Sequence, residues 1–104
     1  MSEVIYEYPI ECVDEQSIDM PTDARILSVQ VQRGVPCLWA LVDTALPVVP
    51  RRIFTFGTGH PLCEAAELRF IGTYQSLGGD LVFHVFENPA PFFYDPAIFT
   101  RKAP

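Results

Sequence analysis

Within the 104 residues, the segment best suited to chemistry is Gly57-Thr58-Gly59-His60-Pro61. Two glycines leave the backbone free to turn N–H groups outward toward an anion, and a hydroxyl and an imidazole add polar contacts. Such a loop suits a phosphate or carboxylate; its other reading is a structural turn at a strand end. It is not a Walker loop, since no Lys-Ser/Thr pair closes it, and not a dinucleotide fingerprint, since no helix follows. Trp39 and Tyr74 are large enough to stack on a nucleobase, and the guanidinium groups of Arg33, Arg51 and Arg52 match phosphate. The candidate ligand-binding set is therefore Gly57, Thr58, Gly59, His60, Trp39, Arg51, Arg52 and Tyr74. Taken singly, Trp39 also fits a buried strand, and Arg51-Arg52 after two prolines fits a solvated loop end.

Metal and catalytic chemistry find less support. His60, Cys63 and His84 could be drawn as a zinc site, but their spacing matches no compact ligand pattern, and His84 alternates with Val82 and Phe86 as a strand residue would. There is no G-x-S-x-G elbow, no Cys-His context and no pair of carboxylates flanking a pocket-like segment. Asp43 and Glu87 each follow a strand and could face one another across a barrel mouth, although strand-end carboxylates are usually solvated. The expectation is binding without catalysis, metal or cofactor.

The elements that must position these residues are strands. Val4 to Ile10 reads as an edge strand with a proline near its end, and Gln16 to Met20 as a short strand that would pair with it. In Ala24 to Gln32, Leu27, Val29 and Val31 alternate with Ser28, Gln30 and Gln32, the period of a sheet with one wet face. Arg33-Gly34 supplies a tight turn, and Cys37 to Val42 is apolar on both faces, as a covered central strand would be. Ala45 to Pro50 reads as a loop and Arg51 to Phe56 as a strand. Glu64 to Glu67 allows one helical turn at most. Leu68 to Leu77 and Leu81 to Glu87 form a hairpin through Gly78-Gly79-Asp80. The predicted fold is mostly β, a small antiparallel barrel, sandwich or curled meander of five to seven strands. A single domain over residues 1–87 would carry a C-terminal extension, 88–104, in which four of the ten prolines are interleaved with Phe92, Phe93, Tyr94 and Phe99.

Charge and composition narrow the partners. The net charge is −6, and residues 1–23 hold seven acids, Glu3, Glu7, Glu11, Asp14, Glu15, Asp19 and Asp23, with no Lys or Arg. A broad basic surface for nucleic acid is absent. No run of about eighteen uncharged apolar residues occurs, and Met1 to Tyr8 lack a basic stretch leading into an apolar one, so the expectation is a cytoplasmic chain with no membrane partner. Three widely spaced cysteines, Cys12, Cys37 and Cys63, fit reduced thiols.

The strings "DEQSIDMP", "ARILSVQVQRGVPCLWALVD", "FGTGHP", "FIGTYQ" and "LVFHVFE" resemble a family of small uncharacterised proteins encoded by phages and prophages, over about four-fifths of the chain. The resemblance brings no site residues with it. It implies the cytoplasm of a bacterial host and an accessory role, and three functions stand open. The chain could blunt host defence by sequestering a small nucleotide-like signalling molecule as a homo-oligomer. It could inhibit a host defence nuclease by presenting the acidic residues 1–23 to a basic groove. It could be a structural or assembly component of the phage.

Overall fold

The structure is a computed structural model that describes residues 3–62 and 68–88. Seven strands run through them: β1 (Glu3–Pro9), β2 (Glu15–Pro21), β3 (Arg25–Gln32), β4 (Val35–Asp43), β5 (Val48–Gly57), β6 (Arg69–Ser76) and β7 (Leu81–Glu87). A single 3-10 turn, Leu77–Gly79, links the last two. The strands form two antiparallel sheets, one ordered β1-β4-β3 and the other β2-β5-β7-β6. The result is sandwich-like and not a closed barrel.

Turn chemistry sets the hairpins. Between β3 and β4, Arg33 and Gly34 have φ of 52° and 80°, the two positive values that a tight turn between right-twisted strands needs. The β6–β7 turn takes positive φ at Leu77, Gly78 and Gly79. β4 is the central strand of its sheet, as its two-sided apolarity requires: Leu38, Ala40 and Val42 enter the core, while Cys37, Trp39 and Leu41 lie on the opposite face. From the other sheet Met20, Ile53, Tyr74 and Val85 meet them.

Three sequence expectations change. β2 pairs with β5, not with β1. Ile10 is buried, its N–H donates to the Pro36 carbonyl at 2.9 Å, and the Gln16 side chain exchanges two hydrogen bonds with the Glu11 backbone. These contacts carry the chain from one layer to the other, where Ile18 and Met20 can be covered. Second, β5 begins inside the expected loop, at Val48, and includes Pro50. β7 joins β5 only from Ile53 onward, so among the described residues no ladder partner needs the N–H that the proline lacks. Third, a bulge between Ile26 and Ser28 interrupts β3. Leu27 is thereby exposed, and Ile26 and Val29 share the core side.

Candidate functional site

The edges of the two sheets meet where β3 lies beside β6, and both strands carry a bulge there, at Ile26/Ser28 and at Phe70/Gly72. Gly72 makes the approach possible: a Cβ at this position would stand 2.8 Å from Cγ1 of Val29. Beside this seam opens a cleft of about 330 Å³, at the lower end of the range for small-ligand sites. Its apolar wall is Ile26, Leu27 and Ile71, and its charged groups are Arg25, Arg51, Arg69, Asp23 and Glu87.

Arg51 is the fixed cation. Its Nε lies 2.5 Å from Glu87 Oε2, and Nη1 donates to the Ala24 carbonyl at 2.8 Å. Glu87 is only 3% exposed and the Arg51 side chain 18%. The register explains the placement. Arg51 enters the sandwich two residues before the β5–β7 ladder begins, and Glu87 ends β7 opposite Ile53 on one side and Arg69 on the other. A strand-end carboxylate expected to be solvated is instead buried in an ion pair. Asp43, the partner imagined for it, accepts the Ala45 N–H at 3.0 Å in its own turn. Arg25 and Arg69 are exposed and have no ion-pair partner among the described residues. Three guanidinium groups thus face two carboxylates, one of which Arg51 already occupies.

Of the sequence-based candidates, the structure brings only Arg51 to this cleft. The Gly57–His60 loop lies six residues further along β5, about 20 Å away at strand rise. There it is stitched to β7. Thr58 N–H donates to the Val82 carbonyl at 3.3 Å, its Oγ1 lies 2.7 Å from His84 Nε2, and Thr73 Oγ1 lies 3.0 Å from His84 Nδ1. The His60 ring packs on Gly57, where a Cβ would sit 3.2 Å from the imidazole. An imidazole between two hydroxyls has the outline of a nucleophile, base and orienter. Thr73, however, is neutral and cannot stabilise an imidazolium as the carboxylate of a triad does, so the arrangement works as a clamp on the loop.

The other candidates point elsewhere. Arg52 lies on the outer face of its sheet, ion-paired to Glu15 and 5.0 Å over the Phe54 ring. That face continues as an aromatic row across β5, β7 and β6, with the Phe70 and Phe86 rings 5.4 Å apart and those of Phe56 and Phe86 5.7 Å apart. Tyr74 is in the core beside Phe83, and burial together with Cys12 pushes its phenol well above the usual range. Trp39 is half-buried on the outside of the other sheet, opposite Glu7 and Ser28. Nearby, the Cys37 thiol lies 3.1 Å from Glu7 Oε2, and burial, reinforced by that carboxylate, pushes it up to about 11. Arg25 and Arg69 were not singled out by sequence. The available signal was the pair of adjacent apolar residues after each, Ile26-Leu27 and Phe70-Ile71, which breaks period-two alternation where the bulges fall.

Among the described residues no group of three His, Cys, Asp or Glu side chains could hold a metal ion, and no helix is long and apolar enough to cross a membrane. The expected C-terminal extension and the Glu64–Glu67 turn fall largely or wholly outside the described residues. Fold and cleft together define a small two-sheet β domain with an arginine-bearing cleft at the sheet seam. The chain belongs to the DUF7352 family, a domain of unknown function whose model matches residues 1–92. No curated protein and no solved structure matches it.

Proposed function

We propose that the protein is a non-catalytic binding module that captures a small anionic, nucleotide-like ligand in the cleft between β3 and β6. In this reading it is a phage-encoded accessory protein that sequesters a host signalling molecule. The phage setting rests on the resemblance of the sequence. The binding reading rests on one observation: Arg51 is pre-positioned by Glu87 and the Ala24 carbonyl, with Arg25 and Arg69, which have no ion-pair partner among the described residues, at the same opening. A guanidinium already held in place loses little freedom on meeting an anion, and two further guanidinium groups can chelate phosphate oxygens. The wall of Ile26, Leu27 and Ile71 offers apolar surface to the rest of such a ligand.

Thermal melting with AMP, ATP, a cyclic dinucleotide and inorganic pyrophosphate, each titrated to millimolar concentration, tests the reading. At least one should raise the melting temperature, and Arg25→Ala/Arg69→Ala should abolish that rise while leaving the circular dichroism spectrum unchanged. Absence of any shift in the unsubstituted protein, or an equal shift in the double variant, would remove the cleft as the ligand site.

A further inference from the structure

β1 is the least covered strand among the described residues. Of its seven residues all but Tyr8 are exposed, and Val4, Ile5 and Tyr6 are 39%, 58% and 46% exposed. This is unusual for a strand in an unbroken seven-residue ladder with a central, core-forming neighbour. Val4 and Tyr6 lie on the inner side of the sheet, opposite Val42 and Ala40, and Ile5 lies on the outer side opposite Leu41. The inner face of β1 is therefore apolar, the outer face sets Ile5 between Glu3 and Glu7, and both are exposed; among the described residues nothing pairs with its second edge, which keeps a row of backbone donors and acceptors.

The other three edges are blunted. β3 and β6 lie against each other at the Gly72–Val29 contact, and each is bent by a bulge. β2 ends in Pro21 and buries Met20. β1 has no bulge, no Lys, and a proline only at its last position.

We infer that β1 pairs antiparallel with β1 of a second copy, joining two three-stranded sheets into one six-stranded sheet across a two-fold axis. The strand's own charges, together with the need to pair its whole length Glu3–Pro9, select the register. A two-fold axis perpendicular to the sheet keeps inner faces together, so paired residue numbers must sum to an even number. Centring on Ile5 would set Glu3 against Glu7 twice, a repulsion that directly opposed carboxylates cannot escape. Centring on Tyr6 sets Val4 against Tyr8 and Ile5 against Glu7, leaves no two carboxylates opposed, and stacks the two Tyr6 side chains at the axis. It also puts Pro9, which donates nothing, at the end of the ladder. Such an isologous pairing closes after two copies and leaves no exposed β1 edge. It is independent of whether the cleft binds an anion.

Sedimentation velocity at about 50 µM should give twice the chain mass. Tyr6→Lys, which opposes two ammonium groups at the axis while changing an exposed residue, should return the monomer mass with unchanged circular dichroism. Register is read by cross-linking in a Cys12→Ser/Cys63→Ser background. Directly opposite residues have Cβ atoms about 5 Å apart, close to disulfide distance, so Tyr6→Cys should oxidise to a covalent dimer and Tyr8→Cys should not. A monomer at this concentration, a monomer that gains mass only with an extended peptide of another protein, or a dimer in which Tyr6→Cys fails to cross-link would each overturn the proposal.

Discussion

Exchanging Glu87 for Gln keeps the side chain's shape and removes its charge, leaving Arg51 without the carboxylate that holds it at 2.5 Å. Removing one member of a fully buried ion pair costs about 3–5 kcal/mol, because the remaining charge stays desolvated. Here the cost is smaller. Arg51 keeps the Ala24 carbonyl as an acceptor and 18% of its side chain reaches solvent, and Gln still offers a carbonyl oxygen, so the loss is about 2–3 kcal/mol. For a domain of this size, each kcal/mol lowers the melting temperature by about 4–8 °C, which gives a fall of roughly 10–20 °C. Urea titration with unchanged slope would measure the same loss as a lower midpoint. The companion variant Arg51→Met/Glu87→Leu removes both charges and fills the space with carbon, and it should recover most of the stability. If Glu87→Gln stays within about 0.5 kcal/mol of the parent, the size expected of an ordinary surface change, the carboxylate is not holding a desolvated cation. A double variant weaker than the single would refute the reasoning from the other side.

Two further outcomes follow from close contacts. Gly72→Ala places a methyl group 2.8 Å from Cγ1 of Val29, a buried and rotamerically stiff side chain, so the seam must open at a cost of about 1–3 kcal/mol, read by chemical denaturation. The Cys37 thiol, pushed up to about 11 by burial and then by Glu7, should stay unlabelled by a thiolate-selective reagent at pH 8 while exposed Cys12 reacts, as peptide mass mapping will show. Because this thiol holds its proton more tightly when folded than when unfolded, where its pKa is about 8.5, the unfolded chain loses that proton first. Its contribution to stability is whole below about pH 8.5 and declines as pH rises toward 11.

The strand plan was legible because it is written in local chemistry. The Arg33-Gly34 turn needs two positive φ values, and the apolar run 37–42 needs cover on both faces; both requirements are visible within a few residues. Pairing between distant strands was less legible. Nothing within Gln16–Met20 distinguishes β1 from β5 as its neighbour, and the choice is made by Ile10 and by the Gln16–Glu11 hydrogen bonds at the crossing between layers. The loop at 57–60 drew attention as a cluster of polar and glycine residues. Its Thr58 hydroxyl is engaged by His84, which Thr73 holds in turn, and local reading could not supply these distant partners.

The bulges connect fold and site. In an uninterrupted β3 or β6, strict alternation would set Ile26 and Leu27, or Phe70 and Ile71, on opposite faces and would leave no gap between the sheet edges. One extra residue in each strand shifts the face of everything on one side of it. It also bends the two strands at the level where Arg51 and Glu87 enter the sandwich. Arg25 and Arg69 lie just before the two bulges and come to the same opening although 44 residues separate them in sequence. A buried ion pair alone would be weak grounds for function, since such pairs can be exchanged for hydrocarbon without loss of stability. An ion pair whose cation is reached through a cleft bordered by two arginines with no ion-pair partner among the described residues is different, because the surplus positive charge of those residues favours an anion there and contributes nothing to the core.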